Sequence, residues 1–172
     1  MRTTLLLVML AACGDDGSSM LAVDSANVDG TSGLATTCTG SCATISLAAT
    51  FGATRMLDVA YFGVSTSGNL YVEAYRGAAA GCPTTSSPTP DYTLILGDVP
   101  VPTSTAPITS PANFIDFQGD LLPSVMPARA TAVALTPVAK NAMELALDVD
   151  LTFAAGTITG HLFATHCDSL DD

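Results

Sequence analysis

The chain alternates apolar and polar residues over many short stretches, and the clearest covers residues 143–153. Met143, Leu145, Leu147, Val149, Leu151 and Phe153 fall on one side of an extended chain; Glu144, Ala146, Asp148, Asp150 and Thr152 fall on the other. A helix would scatter these carboxylates around its axis, whereas a half-buried antiparallel strand sorts them onto its solvent face. Helix propensity alone would favour residues 139–147, but the period-two pattern overrides it. Ala154-Ala155-Gly156 then turns the chain into residues 157–166, which predicts a hairpin. The same period recurs at 20–28, 43–51, 55–64, 70–76, 92–99, 113–117 and 129–138. Ser65-Thr66-Ser67-Gly68-Asn69 has the composition of a turn. Eight or nine short strands with turn signals between them predict an all-β domain over residues 20–172, a single antiparallel β-sandwich.

A lipocalin-like up-and-down barrel is the alternative architecture, although the Gly-x-Trp signal of that family is missing because the chain has no Trp. A transmembrane β-barrel is disfavoured, since 6% aromatic residues are too few for two girdles. Two Pro/Ser/Thr-rich runs, 82–91 and 100–111, interrupt the alternation. Proline cannot donate to a ladder, so these runs predict surface loops, candidate glycosylated segments or a binding rim.

Hydrophobic residues make up 48% of the chain, too many for a disordered tail. Sixteen acidic residues against five basic ones give a net charge of −11. That field repels phosphate backbones, and Lys140 is the sole lysine, so no nucleic-acid partner is expected.

The first residues carry an address. A positive start at Arg2 precedes the apolar run Leu5 to Leu10 and then small residues, the pattern of a secretory signal. The uncharged stretch is about 10 residues, half of the roughly 20 a spanning helix needs. Its end, Leu10-Ala11-Ala12-Cys13, resembles the lipobox of bacterial lipoproteins. The resemblance covers thirteen residues and implies nothing about the fold that follows. It implies that residues 1–12 are a cleaved lipoprotein signal peptide, that Cys13 carries lipid on sulfur, and that residues 13–19 are a flexible tether. It also implies a bacterial cell-envelope location, with the outer membrane favoured because Gly14 rather than Asp follows Cys13. Each buried CH₂ contributes about 0.8 kcal/mol, so two or three acyl chains hold the chain essentially permanently. Cleavage removes Arg2 and leaves four basic against 16 acidic residues, a mature charge of −12. Anionic head groups repel such a body, so the membrane partner is reached through the lipid at Cys13.

With Cys13 assigned to lipid, Cys38, Cys42, Cys82 and Cys167 remain, an even number that in an exported chain reads as two disulfides with three connectivities. Residues four apart on an extended strand are roughly 13 Å apart, too far to bridge. Gly40 permits a tight turn between Cys38 and Cys42, which favours Cys38–Cys42 with Cys82–Cys167; the other two pairings stay open. Zinc on Cys38, Cys42, Cys167 and a histidine is a competing expectation, weakened by the absence of any CxxC pair.

No cofactor is implied by a motif. His161 and His166, five apart on one strand, face opposite sides and cannot share a metal. No Gly-x-Ser-x-Gly elbow is present, so a Ser-His-Asp set lacks its usual frame. Asp148 and Asp150 share a strand face at a separation compatible with glycosidase carboxylates, but such acids usually form a solvated face. Calcium is the candidate ion, at Asp24, Asp29, the Asp116/Asp120 loop or the cluster Asp168, Asp171 and Asp172, although no EF-hand loop occurs. Tyr61, Phe62, Tyr71 and Tyr75 are candidates for an aromatic patch beside Glu73. The leading expectation is a non-enzymatic structural or recognition role, with an envelope protein or a glycan as candidate partner. A module binding calcium, a glycan or a small apolar ligand is the alternative, and a hydrolase using His161 or Asp148 and Asp150 the weaker one.

Overall fold

The computed structural model describes residues 33–78 and 81–172. The expected strand at 20–28, the tether, Cys13, Asp24 and Asp29 lie outside these residues. The described chain is all-β. Its strands are β1 (Ser46–Phe51), β2 (Ala53–Leu57), β3 (Val59–Val64), β4 (Leu70–Arg76), β5 (Tyr92–Val99), β6 (Ala112–Asp116), β7 (Ala128–Arg129), β8 (Ala132–Lys140), β9 (Glu144–Phe153) and β10 (Gly156–His166). Short 3-10 turns lie at Gly40–Ala43 and Asp168–Leu170. Among the described residues no helix is long and apolar enough to cross a membrane.

The β9–β10 hairpin organises the fold. Its register runs from Phe153 opposite Gly156 to Glu144 opposite Thr165. Leu145, Leu147, Val149, Leu151 and Phe153 are buried while Asp148, Asp150 and Thr152 face solvent, as the alternation requires. Ala146 departs from the pattern: it lies on the outer face yet is buried under Cys38, in a small cluster with Ala139.

On its other edge β10 carries two partners in turn. Its first half pairs with β1, and its last residues, Thr165 and His166, pair with Tyr61 and Phe62 of β3 in parallel. The sheet then continues through β4, β5, β6 and β7, while β8 flanks β9. All other strand pairings are antiparallel, so the result is one curled mixed sheet, a half-barrel in outline, rather than the purely antiparallel one expected. Ala130 and Thr131 alone separate β7 from β8. There the amide of Ala130 bonds Ala112 of β6 and that of Thr131 bonds Thr152 of β9, linking the two far edges of the sheet.

One large core fills the concave side. Phe51 and Phe114 stack with ring centroids 5.0 Å apart, and Phe153 tilts against both. Leu47, Phe62, Leu94, Leu96, Leu147 and Ile158 are fully enclosed around them. Pro137 sits in β8 at a bulge, on a strand whose outer edge meets little beyond single bridges to Ile108 and Ala35.

Three expected strands need correction. Residues 129–138 are divided between β7 and β8, because the Ala130 and Thr131 amides turn to Ala112 and Thr152. Residues 55–64 form two strands, because Asp58 breaks the ladder and bonds its amide to the carbonyl of Tyr75. The stretch 43–51 starts later, at Ser46, because the Cys38–Cys42 bridge holds Ala43 in a 3-10 turn. Both disulfides have the favoured pairing: Cys38–Cys42, and Cys82–Cys167 across 85 residues.

Candidate functional site

The site arises from the period of β4. Leu70, Val72 and Ala74 point into the core, so Tyr71, Glu73 and Tyr75 must share the outer face. Register places Tyr61 of β3 directly opposite Glu73. An outer face of this kind is ordinarily wet. Here two segments cover it.

The first is the C-terminus. The Cys167 amide bonds the Phe62 carbonyl, and the Asp171 carboxylate accepts the Val64 amide at 2.7 Å. Leu170 packs beside Tyr61 and Tyr75. Gly63 makes this possible, since a Cβ there would collide with the Leu170 backbone. The second is the Pro/Ser/Thr-rich loop, held down by Cys82–Cys167. The Gly81 amide donates to the Tyr61 hydroxyl at 3.0 Å, and Ser87 ties the loop to the Thr84 amide at 2.9 Å.

Between loop and sheet lies a cavity of about 340 Å³. Tyr61, Glu73 and Tyr75 form its floor, and Pro83, Pro88 and Pro90 are among the loop residues that wall it. Phe117, 44% exposed, stands at its edge. Tyr61 and Tyr75 are tilted by 51°, with centroids 6.3 Å apart. The Tyr71 hydroxyl donates to Glu73 Oε1 at 2.9 Å, and the Tyr75 hydroxyl donates to Oε2.

Burial pushes the Glu73 carboxyl above its ordinary 4.5, against the opposing effect of the Tyr71 hydroxyl. Burial, and next the neighbouring carboxylate, push the Tyr71 phenol up as well. A carboxyl whose value is raised on folding favours the native state in its protonated form. That contribution is complete below about pH 4.5 and is lost as pH rises through the folded value. The melting temperature of the native protein should therefore fall relative to that of Glu73→Gln as pH climbs from 4.5 into that range. Parallel melting curves for the two proteins across that range would show that Glu73 is not held in this way.

The other expected residues fall elsewhere. Phe62 points into the core, because a neighbour in a strand must face opposite Tyr61. His161 and His166 lie in separate clusters. His161 meets Asp148 at 2.7 Å through Nδ1 and the Cys42 carbonyl at 2.8 Å through Nε2, so neither ring nitrogen is left facing a serine. Asp150 is exposed next along the face. The zinc set is not assembled as expected, because Cys167 is bonded to Cys82 and stands with Tyr61 and Tyr75. Cys38 and Cys42 do stand near His161, but bonded to each other.

At the calcium candidates, Asp116 is fully buried and accepts the amides of Gly119, Leu121 and Leu122. Asp120 pairs with Arg55 and the Tyr92 hydroxyl, both at 2.6 Å. Asp171 bonds both Val64 and His166, whose other nitrogen lies 3.4 Å from Asp168. The tyrosine face was legible from period two. Its cover was not, because it depends on a disulfide between distant residues; Cys82, placed directly before the proline run, is the one local signal.

Comparisons with protein-family models, with curated proteins and with solved structures find no match.

Proposed function

We propose that this chain is a lipid-anchored protein of the bacterial cell envelope with a non-enzymatic recognition role, exercised through the cavity between β4 and the proline-rich loop. The observation that carries the recognition role is that cavity. It combines aromatic and proline surface with one carboxylate, Glu73, and a few hydroxyl groups, the usual composition of small-ligand sites. Leu10-Ala11-Ala12-Cys13 supports the anchor, and the mature charge of −12 makes the protein body a poor ligand for anionic head groups. The outer membrane is the favoured location because Gly14 follows Cys13.

The anchor is tested on the full chain produced in a bacterium. The native protein should be found in the membrane fraction, with its N-terminal peptide starting at a Cys13 that carries lipid mass. Cys13→Ala should retain residues 1–12 and lose the lipid. If Cys13→Ala is cleaved as the native protein is and keeps the same membrane fractionation, the anchoring proposal is wrong.

A further inference from the structure

We propose that the cavity floored by Tyr61, Glu73 and Tyr75 binds an organic ammonium group. This rests on reading the cavity as the recognition site, and it adds the chemical class of the occupant.

The carboxylate supplies the first argument. Both oxygens of Glu73 receive tyrosine hydroxyls, a donor pair that suits the ionised form. Among the described residues no Lys, Arg or His lines the cavity, and Glu73 is the one carboxylate there, without an opposite charge beside it. A buried charge is costly without a partner, and burial is what moves this carboxyl away from its ordinary value. A cation entering the cavity supplies the missing partner. An anion would meet Glu73 at close range and a protein of strongly negative charge around it.

The rings supply the second. Tyr61 and Tyr75 are inclined to one another on the cavity floor, Tyr61 across the ladder from Glu73 and Tyr75 two residues along β4 from it. Their faces offer a cation the negative part of the ring quadrupole, an attraction that increases with desolvation. A bare metal ion fits poorly. Calcium takes six to eight oxygen ligands, several of them usually carboxylates, whereas the described lining offers one carboxylate beside the hydroxyls of Thr84, Ser87 and Thr89. A volume of about 340 Å³ suits a group with a carbon framework. Proline and alanine walls accept the methyl or methylene groups that surround an ammonium nitrogen.

The protein provides its own reporter. It has no Trp and four Tyr, and three of these, Tyr61, Tyr71 and Tyr75, cluster around Glu73. Tyrosine emission of the full chain in a maltoside detergent is titrated with choline, with n-butylammonium and with 3,3-dimethylbutanol, the uncharged isostere of choline. One or both ammonium probes should change the signal saturably, at least tenfold more tightly than the alcohol. Choline against butylammonium tells a quaternary from a primary nitrogen.

Glu73→Gln should weaken the ammonium probe at least tenfold. Tyr61→Leu, which keeps the carboxylate, should weaken it severalfold; circular dichroism checks that both variants keep their strands. Equal affinity for choline and the alcohol, or an unchanged affinity in Glu73→Gln, overturns the ammonium assignment and leaves the cavity a site for neutral ligands. No response to any of the three removes the cavity from both proposals. The assay does not depend on lipid at Cys13, so a failed anchoring experiment leaves its result intact.

Discussion

Replacing Cys82 and Cys167 together by serine is expected to lower stability by about 4–5 kcal/mol, a fall in melting temperature of roughly 10–15 °C for a chain of this size. The bridge joins residues 85 apart, and in the chain-entropy view the loop it closes in the unfolded state sets this magnitude. Cys38–Cys42 spans four residues, so the same relation gives it about 2 kcal/mol. The difference decides which bridge the fold depends on. The long bridge also has a local consequence. It fastens the start of the proline-rich loop to the strand-end residue Cys167, against which Tyr61 and Tyr75 pack at 7% and 6% exposure. Without it the loop gains freedom, both rings meet water, and tyrosine emission becomes accessible to a soluble quencher. Thermal melting and quenching of the double variant test both statements. Melting within about 3 °C of the native protein, roughly the shift expected from a single kcal/mol, would mean that the loop and C-terminus stay ordered unaided.

The contrast between the two bridges also marks what could be read from residues alone. Parity and the glycine between Cys38 and Cys42 favour the pairing that the structure contains. Parity does not reveal what the long bridge covers. The strands follow the same division. Residues 143–166 disclose a hairpin because ten of the eleven positions 143–153 alternate, Ala146 being the exception, and Tyr92–Val99 and Leu70–Arg76 have their expected limits. Residues 55–64 look like one strand because nothing in the composition marks Asp58 as a break. The break is set by a bond to Tyr75, which register brings across. The parallel contact of β10 with β3 spans two residues and joins segments about a hundred residues apart, so no local pattern encodes it. β7, two residues long, lies below any periodic signal.

The candidate site divides in the same way. Alternation puts Tyr71, Glu73 and Tyr75 on one face. It also suggests that this face is open, whereas Leu170 and the loop enclose it. The acids mislead in the opposite direction. An oxygen-rich loop at Asp116 and Asp120 resembles a cation site by composition, yet the structure uses one carboxylate to gather backbone amides and the other to hold Arg55. Composition cannot tell a carboxylate that awaits a cation from one already surrounded by N–H groups.

Asp116→Ala is expected to cost about 3–5 kcal/mol, comparable to losing the long disulfide. The carboxylate sits at the end of β6 with no exposure and accepts three amides, from Gly119 at 2.7 Å, Leu121 at 2.7 Å and Leu122 at 2.8 Å. Each buried amide left without an acceptor costs about 1–3 kcal/mol. Part of that is recovered if the loop opens to water, but opening it withdraws Leu121 and Leu122 from the core, where they are 8% and 7% exposed. Either route is expensive, which is why the loss should be large whichever the loop takes. Asp116→Asn separates charge from shape. It retains one oxygen but presents an NH₂ to amides that are themselves donors, so it should still destabilise, by about 2 kcal/mol. Asp120→Ala provides the contrast. Its contact with Arg55 is solvent-exposed and that with Tyr92 only part-buried, and its effect should be the smallest of the three. Urea unfolding of the three variants gives the order directly. If Asp116→Ala proved no worse than Asp120→Ala, the three amides would have to find acceptors elsewhere, and Asp116 would not be what holds Leu121 and Leu122 in place.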